Sequence, residues 1–318
     1  MIRHDDPLYA FYEFYKQPQS SSIDEQTIDK AFVSNHINDQ IYKSFTAAIW
    51  NFYRINKRQF MWRDHHDPYV ILVSEIMLQQ TQTQRVAVKL PEFLTKFPTV
   101  FHLAQADTQE LFQAWVGLGY NRRALALRTT AQMIVEQHAG KLPDDPITLQ
   151  TFAGIGPATA ASIAAFAYNK PTVFIETNIR SVYLHVFFHD QVGITDDQLR
   201  PFVENTLDPA NARQWYYALM DYGVYIKKTY KNPSRGSKHH TKQSKFEGSD
   251  RQVRGAVIRL LSDPVMLVEL NYADQESLLE YLKAQYPAQA HRVELILEQM
   301  CSEKIIQRVQ NRYVFAAK

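Results

Sequence analysis

From Ile41 to about Lys228, apolar positions recur at helical spacing between closely set start and stop signals, and no stretch there reads as a strand. Asp67-Pro68 offers an N-cap and first-turn pair ahead of Tyr69–Thr81. Asp107 with Glu110 makes a capping-box pattern before Leu111–Trp115, and Thr195 with Gln198 makes another. Gly140 closes a helix over roughly 121–138, and Asp208-Pro209 starts one running to about Ile226. The pattern predicts an all-α domain over 41–228.

The flanking segments read differently. Residues 1–40 are polar and acidic, with the run Gln19-Ser20-Ser21-Ser22, and are expected to form a partly ordered extension. Residues 229–249 mix lysine, serine, glycine and histidine with almost no apolar periodicity, as a linker or exposed basic loop does. Beyond it, Arg251–Leu261 and Ala288–Cys301 read as helices. Ile305–Val309 and Arg312–Phe315 read as a hairpin turning at Gln310-Asn311. Helices followed by a hairpin suggest a small winged-helix-like domain over 250–318. No repeat at solenoid spacing is present.

Composition narrows the class. With 318 residues, 45% hydrophobic and 21% charged, the chain is long enough for about two domains with a sizeable core. No apolar run reaches the roughly 18–20 residues that span a bilayer, and the acidic N-terminus lacks the features of a secretory signal, so a cytoplasmic, nucleoid-associated location is expected. The single cysteine, Cys301, excludes an internal disulfide and a four-cysteine iron–sulfur cluster, and no HExxH pattern occurs. Net charge is only +2, yet residues 227–254 hold nine lysines and arginines against Glu247 and Asp250. Such asymmetry points to a polyanion or to a solvated linker.

Three stretches carry candidate chemistry. In Thr151–Ala160, Gly154 and Gly156 flank Ile155 ahead of Pro157 and an Ala-rich helix. Glycines let the backbone turn sharply and approach a ligand closely, and the following helix start suits a phosphate. This is the pattern of a helix–hairpin–helix, which grips a nucleic-acid backbone without reading sequence; the plainer reading is a tight turn. In Tyr69–Thr81, eight of the first ten residues are apolar and Glu75 sits among them. Burial favours the protonated form of a carboxylate, which a general acid needs; alternatively Glu75 pairs with an arginine or shares a polar stripe with Ser74. Gln79, Gln80 and Thr81 then end the helix with a polar cluster suited to entering a base stack. In Pro171–Phe188, Glu176, Thr177 and Asn178 again interrupt apolar surroundings. Near a helix start, the dipole stabilises an ionised Glu176, though plain N-capping accounts for it too. A proton donor and a fixed anion are the pair that N-glycosidic cleavage requires.

These motifs, taken in order, resemble the helix–hairpin–helix (HhH-GPD) DNA glycosylases, and among them most closely the MutY adenine glycosylases. The resemblance covers about Ile41 to Lys228 and rests on Trp62-Arg63, Asp67-Pro68-Tyr69, Ser74–Thr81, Gly117-Leu118-Gly119-Tyr120 and Phe152–Ala160. It implies that Glu75 protonates the departing adenine of a base extruded from the duplex. It also implies that Gln79, Gln80 and Tyr120 hold or wedge the DNA, that Trp62, Arg63 and Asn178 belong to the base pocket, and that Gly154, Gly156 and Thr159 contact the backbone. Double-stranded DNA is the implied partner of a monomeric, monofunctional enzyme. Another mismatched or damaged base, or a DNA-binding protein on this scaffold, are the alternative readings.

The chain departs from the family at four places. Glu176 stands where the family has an Asp, and one methylene shifts the charge by about 1.5 Å, enough to cost ~10²-fold if nothing compensates. Ala158 stands where bifunctional relatives similar to endonuclease III place a catalytic lysine, so strand cleavage through a Schiff base is not expected. The cluster cysteines are missing, which leaves no cofactor expected beyond a monovalent cation at the hairpin. The basic segment Lys227–Arg254 is expected to supply the phosphate contacts of the missing cluster loop. Residues 250–318 are too short for, and unlike, the family's 8-oxoguanine-sensing domain.

Overall fold

The computed structural model describes residues 3–4, 6–9, 11, 30–189, 191–239, 245–263, 265 and 274–317, with backbone only for 30–38. The run at 19–22 lies outside these residues. Helices α1 (Lys30–Asn56), α2 (Met61–Asp64), α3 (Pro68–Leu78), α4 (Thr83–Lys96) and α5 (Val100–Gln105) come first. They are followed by α6 (Thr108–Trp115), α7 (Arg122–His138), α8 (Pro146–Leu149), α9 (Pro157–Tyr168) and α10 (Thr177–Phe187). Helices α11 (Asp196–Thr206), α12 (Ala212–Thr229), α13 (Asp250–Ser262), α14 (Gln275–Gln285) and α15 (Val293–Ser302) complete the helical part. Strands β1 (Ile306–Val309) and β2 (Arg312–Phe315) close the chain as an antiparallel hairpin, the only sheet among the described residues. The fold is all-α, as the periodicity predicts. Among the described residues, no helix is long and apolar enough to cross a membrane.

Two units form, each from two chain segments: 1–59 with 164–241, and 60–163 with 242–318. In the first, Ile41, Phe45, Ile49 and Phe52 repeat along α1 and are buried. Phe45 is fully enclosed, meeting Phe187 at 5.2 Å, Tyr183 at 5.7 Å and Trp215 edge-on at 6.2 Å. Of the partly ordered extension expected over 1–40, the described first residues pack into this unit. Leu8 and Phe11 are buried, and the Asp6 carboxylate accepts hydrogen bonds from Tyr222 Oη (2.8 Å), Tyr230 Oη (2.6 Å) and Leu8 N (2.8 Å). Three donors offset the cost of burying that charge.

Of the segment 229–249, expected to be a linker or an exposed basic loop, residues 231–239 dock within this unit. Asn232 caps a 3₁₀ turn over Pro233–Gly236, Ser234 is buried and donates to Thr177 O, and Gly193 N bonds Gly236 O at 2.7 Å. Polar residues without periodicity are held here by backbone pairing, which periodicity does not reveal. Helix α12 begins at Ala212 rather than at Pro209, since the Asp208 carboxylate accepts from Ala210 N and Asn211 N in a turn that delays the helix.

In the second unit the predicted caps form. Asp67 accepts from Tyr69 N, Asp107 and Glu110 complete a capping box, and Gly140 N closes α7 onto Ile134 O. Residues 250–317 belong to this unit: Phe315 stacks on Phe112 at 5.5 Å and Gln113 donates to Ser262 O. They follow a winged-helix order of helices then hairpin, turning at Gln310-Asn311 as predicted. Two details differ. A further helix, α14, starts on an Asp274 cap, and residues 287–292 form a 3₁₀ turn that shortens the helix expected over 288–301.

Candidate active site

Helix α3 is buried at every position from Tyr69 to Met77 except Glu75, which is half-buried. Ser74 is no part of a polar stripe: it is fully buried and donates to Ile71 O. One partner of Glu75 is Ser162 on α9, whose Oγ lies 2.6 Å from Glu75 Oε2 and 3.0 Å from Thr159 O. A hydroxyl carries one proton and two lone pairs. Toward an ionised Glu75, Ser162 donates; toward a protonated Glu75, it accepts and turns its own proton to Thr159 O. The pair thus accommodates an acid that gives up and regains a proton. Sequence reasoning missed Ser162, whose only signal is a small hydroxyl, one turn beyond Thr159, among the alanines of α9.

Beyond Glu75 the chain turns sharply. Helix α3 stops at Leu78, short of the Thr81 expected from sequence. Gln80 and Tyr120 both adopt the left-handed region, with φ of 55° and 48°, alongside Gly117 and Gly119. Non-glycine residues there cost of order 1–3 kcal/mol each and persist only where the surroundings impose them. Arg123 is what imposes it. Its guanidinium donates to the carbonyls of Ile76 (2.7 Å), Met77 (2.9 Å) and Gln79 (2.6 Å), and also to Thr81 Oγ1, Leu118 O and Gly119 O. One fork therefore caps the end of α3 and binds it to the Gly117–Tyr120 turn. Burial lowers this guanidinium to about 10, so it stays charged at neutral pH. No motif in the sequence singles out Arg123.

The hairpin joins the same unit. Gln79 Nε2 donates to Thr159 Oγ1 (3.3 Å) and Gly154 O (3.4 Å), so the polar helix end and the hairpin are tied together. Phe152 and Ile155 are buried and anchor the turn. Gly154 has φ of 76°, and a Cβ there would lie 3.0 Å from that of Ala126. A Cβ on Gly156 would meet nothing within 4 Å, so its backbone faces open space. Trp62 is buried, stacked at 4.8 Å and 7° on Phe60, with the Arg63 guanidinium 5.4 Å from the Phe60 ring.

Glu176 belongs to the first unit and Glu75 to the second. Glu176 is the N-cap of α10: Oε1 accepts from Asn178 N (2.8 Å) and Ile179 N (3.0 Å), and Oε2 from Asn178 Nδ2 (3.2 Å). Lys227 Nζ donates to Asn178 Oδ1 at 2.9 Å; desolvation lowers its pKa while the Glu176 charge works against that. Gly223 lets α12 approach this helix start, since a Cβ there would lie 2.5 Å from Asn178 O. A four-cysteine cluster does not fit a chain whose one cysteine is Cys301, a half-buried thiol pushed up by burial.

The HhH-GPD superfamily base excision DNA repair protein model matches residues 73–207. An adenine DNA glycosylase of Mycobacterium tuberculosis is 40% identical over 131 residues, covering 41% of this chain and 43% of that protein. The human adenine DNA glycosylase is 31% identical over 198 residues, covering 58% and 36%. That of Mycolicibacterium smegmatis is 31% identical over 246 residues, covering 71% and 84%. The match thus spans less than half of the first two relatives and most of the third. Among solved structures, a thermostable thymine-DNA glycosylase superposes with a TM-score of 0.54 at 22% identity, over 62% of this chain and 93% of that one. A non-covalent endonuclease III–DNA complex gives 0.51 at 16%, over 59% and 86%. The motifs, the all-helical fold and the Mycolicibacterium smegmatis relative, matched over 84% of its length, agree that the chain belongs to the HhH-GPD superfamily of base excision DNA repair proteins, as a relative of the adenine DNA glycosylases.

Proposed function

We propose that the protein is a monofunctional DNA glycosylase that removes a mispaired adenine from duplex DNA by hydrolysing its N-glycosidic bond. The observation that carries this reading is Glu75, the one incompletely buried position of an otherwise buried helix stretch, hydrogen-bonded to Ser162. In this reading Glu75 gives its proton to the departing base as the C1′–N bond breaks; water then adds to C1′ and returns a proton to the Glu75 carboxylate. Glu176, the N-cap of α10, faces the positive charge that develops on the sugar and balances it. The base has to leave the stack to reach such groups. Gln79, Gln80 and Tyr120 occupy the gap or grip the strand, Trp62, Arg63 and Asn178 belong to the base pocket, and Gly154, Gly156 and Thr159 hold a phosphate.

Ala158 offers no amine for a Schiff base, so the product is an intact strand with an abasic site. A monomer acting in the compartment that holds the cell's DNA suits this role, with at most a monovalent cation at the hairpin.

The test is a panel of duplexes carrying single mismatches and damaged bases, with alkali revealing abasic sites. Alkali-dependent cleavage at adenine mispairs is expected, with none before alkali and none by Glu75→Gln. Cleavage confined to another base would replace adenine as the substrate. DNA binding without excision of any base would leave a binding protein on this scaffold, and activity surviving Glu75→Gln would overturn the mechanism.

A further inference from the structure

The proposed reaction leaves residues 250–317 without a task, yet they share a cleft with the wedge. This cleft, of about 380 Å³, lies within the second unit and is lined by Gln80, Tyr120 and Arg122 from one side of the sequence and Arg251, Arg254 and Glu303 from the other. Its volume falls in the range of about 300–1,000 Å³ typical of small-ligand sites.

Two features define its chemistry. Arg251 donates to Tyr120 Oη at 2.8 Å and its guanidinium sits 5.5 Å from the centre of that ring. The C-terminal helix α13 therefore fixes the orientation of an aromatic side chain in the strained, left-handed turn. At the other end, the single carboxylate of Glu303 faces two arginines: it forms an ion pair with Arg254 and lies 3.9 Å from Arg122. One carboxylate against four arginines, Arg122, Arg123, Arg251 and Arg254, leaves the cleft cationic. A guanidinium fork fits a phosphate as well as it fits a carboxylate, and an aromatic ring held by arginine is a platform on which a base can stack.

We propose that this cleft binds one nucleotide of the DNA strand next to the wedge, with Glu303 standing in the place of its phosphate until the strand arrives. The C-terminal residues then act as part of the DNA grip. The inference rests on the reading that the protein engages duplex DNA. It differs from an ordinary structural ion pair in the sign of one result: removing the Glu303 charge should strengthen binding, since the phosphate no longer competes with it.

The experiment titrates the full chain into a labelled duplex containing one tetrahydrofuran abasic-site analogue, at several salt concentrations. Glu303→Gln should bind about two- to fivefold tighter at low salt. Arg254→Ala should bind about tenfold weaker, with a slope of log Kd against log salt shallower by about 0.9, the signature of one lost phosphate contact. Glu303→Gln is isosteric, so it carries the test even if Arg254→Ala unfolds. Unchanged or weaker binding by Glu303→Gln overturns the subsite. If the wild-type chain excises a base while both variants bind as it does, the subsite alone fails. If the wild-type chain binds no duplex, the glycosylase reading fails with it.

Discussion

At the residue scale, Arg123 shows how much one side chain can organise. Its six hydrogen-bond acceptors come from two separate stretches, 76–81 and 118–119. Arg123→Lys keeps the charge but loses the fork, leaving several carbonyls short of a donor. A stability loss of about 2–4 kcal/mol in urea unfolding is expected. Glu75 and Ser162 divide differently: the acid was legible as a carboxylate in an apolar run, its partner was not. Ser162→Ala should slow single-turnover base release about 10- to 100-fold, the value of one charge-assisted hydrogen bond, while leaving duplex affinity near wild type. An unchanged rate would remove Ser162 from the mechanism. Glu176 was legible with two readings open, and its capping bonds to Asn178 and Ile179 are now explicit.

At the element scale, the hairpin offers a clean contrast between two glycines. Gly154 needs its positive φ and lies close to Ala126, so Gly154→Ala should cost about 1–2 kcal/mol of stability, read from the denaturation midpoint. Gly156 has open space in front of it, so Gly156→Ala should leave that midpoint near wild type. If a phosphate approaches Gly156, the same methyl group should weaken duplex binding; equal affinity would argue that no phosphate comes near. Caps such as Asp67, Asp107 and Thr195 were readable because each local side chain satisfies its own helix start. Helix α12 was misplaced by three residues because Asp208 serves a turn instead, a choice that local sequence leaves open.

At the scale of the whole molecule, acid should act through His185. Burial, with a smaller effect of His189, lowers it from 6.5 to about 4, against an opposing pull from Asp6. The folded state thus holds this imidazole neutral where the unfolded chain would protonate it. Between pH 6.5 and 4 the unfolded chain binds more protons, so this contribution is full above 6.5 and is lost as pH falls toward 4, about 3 kcal/mol in all. Urea midpoints across that window should fall, and less so in His185→Gln; equal slopes would clear His185 of the effect. The chain's organisation was the least legible property. Sequence segments suggested consecutive domains, whereas each unit is assembled from two distant stretches. Aromatic contacts such as Phe112 with Phe315, and the two tyrosines that donate to Asp6, join residues that no local pattern links.

The sequence by itself determined the all-α class, many of the helices and their caps, the hairpin and the motifs that place the chain among the HhH-GPD proteins, because periodicity, capping and glycine turns act over a few residues. Only the tertiary structure decided which hydroxyl serves Glu75, which arginine holds the strained turns, and that Arg251 and Glu303 share a cleft with Tyr120. Those contacts bridge about 45 to 185 positions of sequence, and their geometry depends on packing that no local propensity encodes.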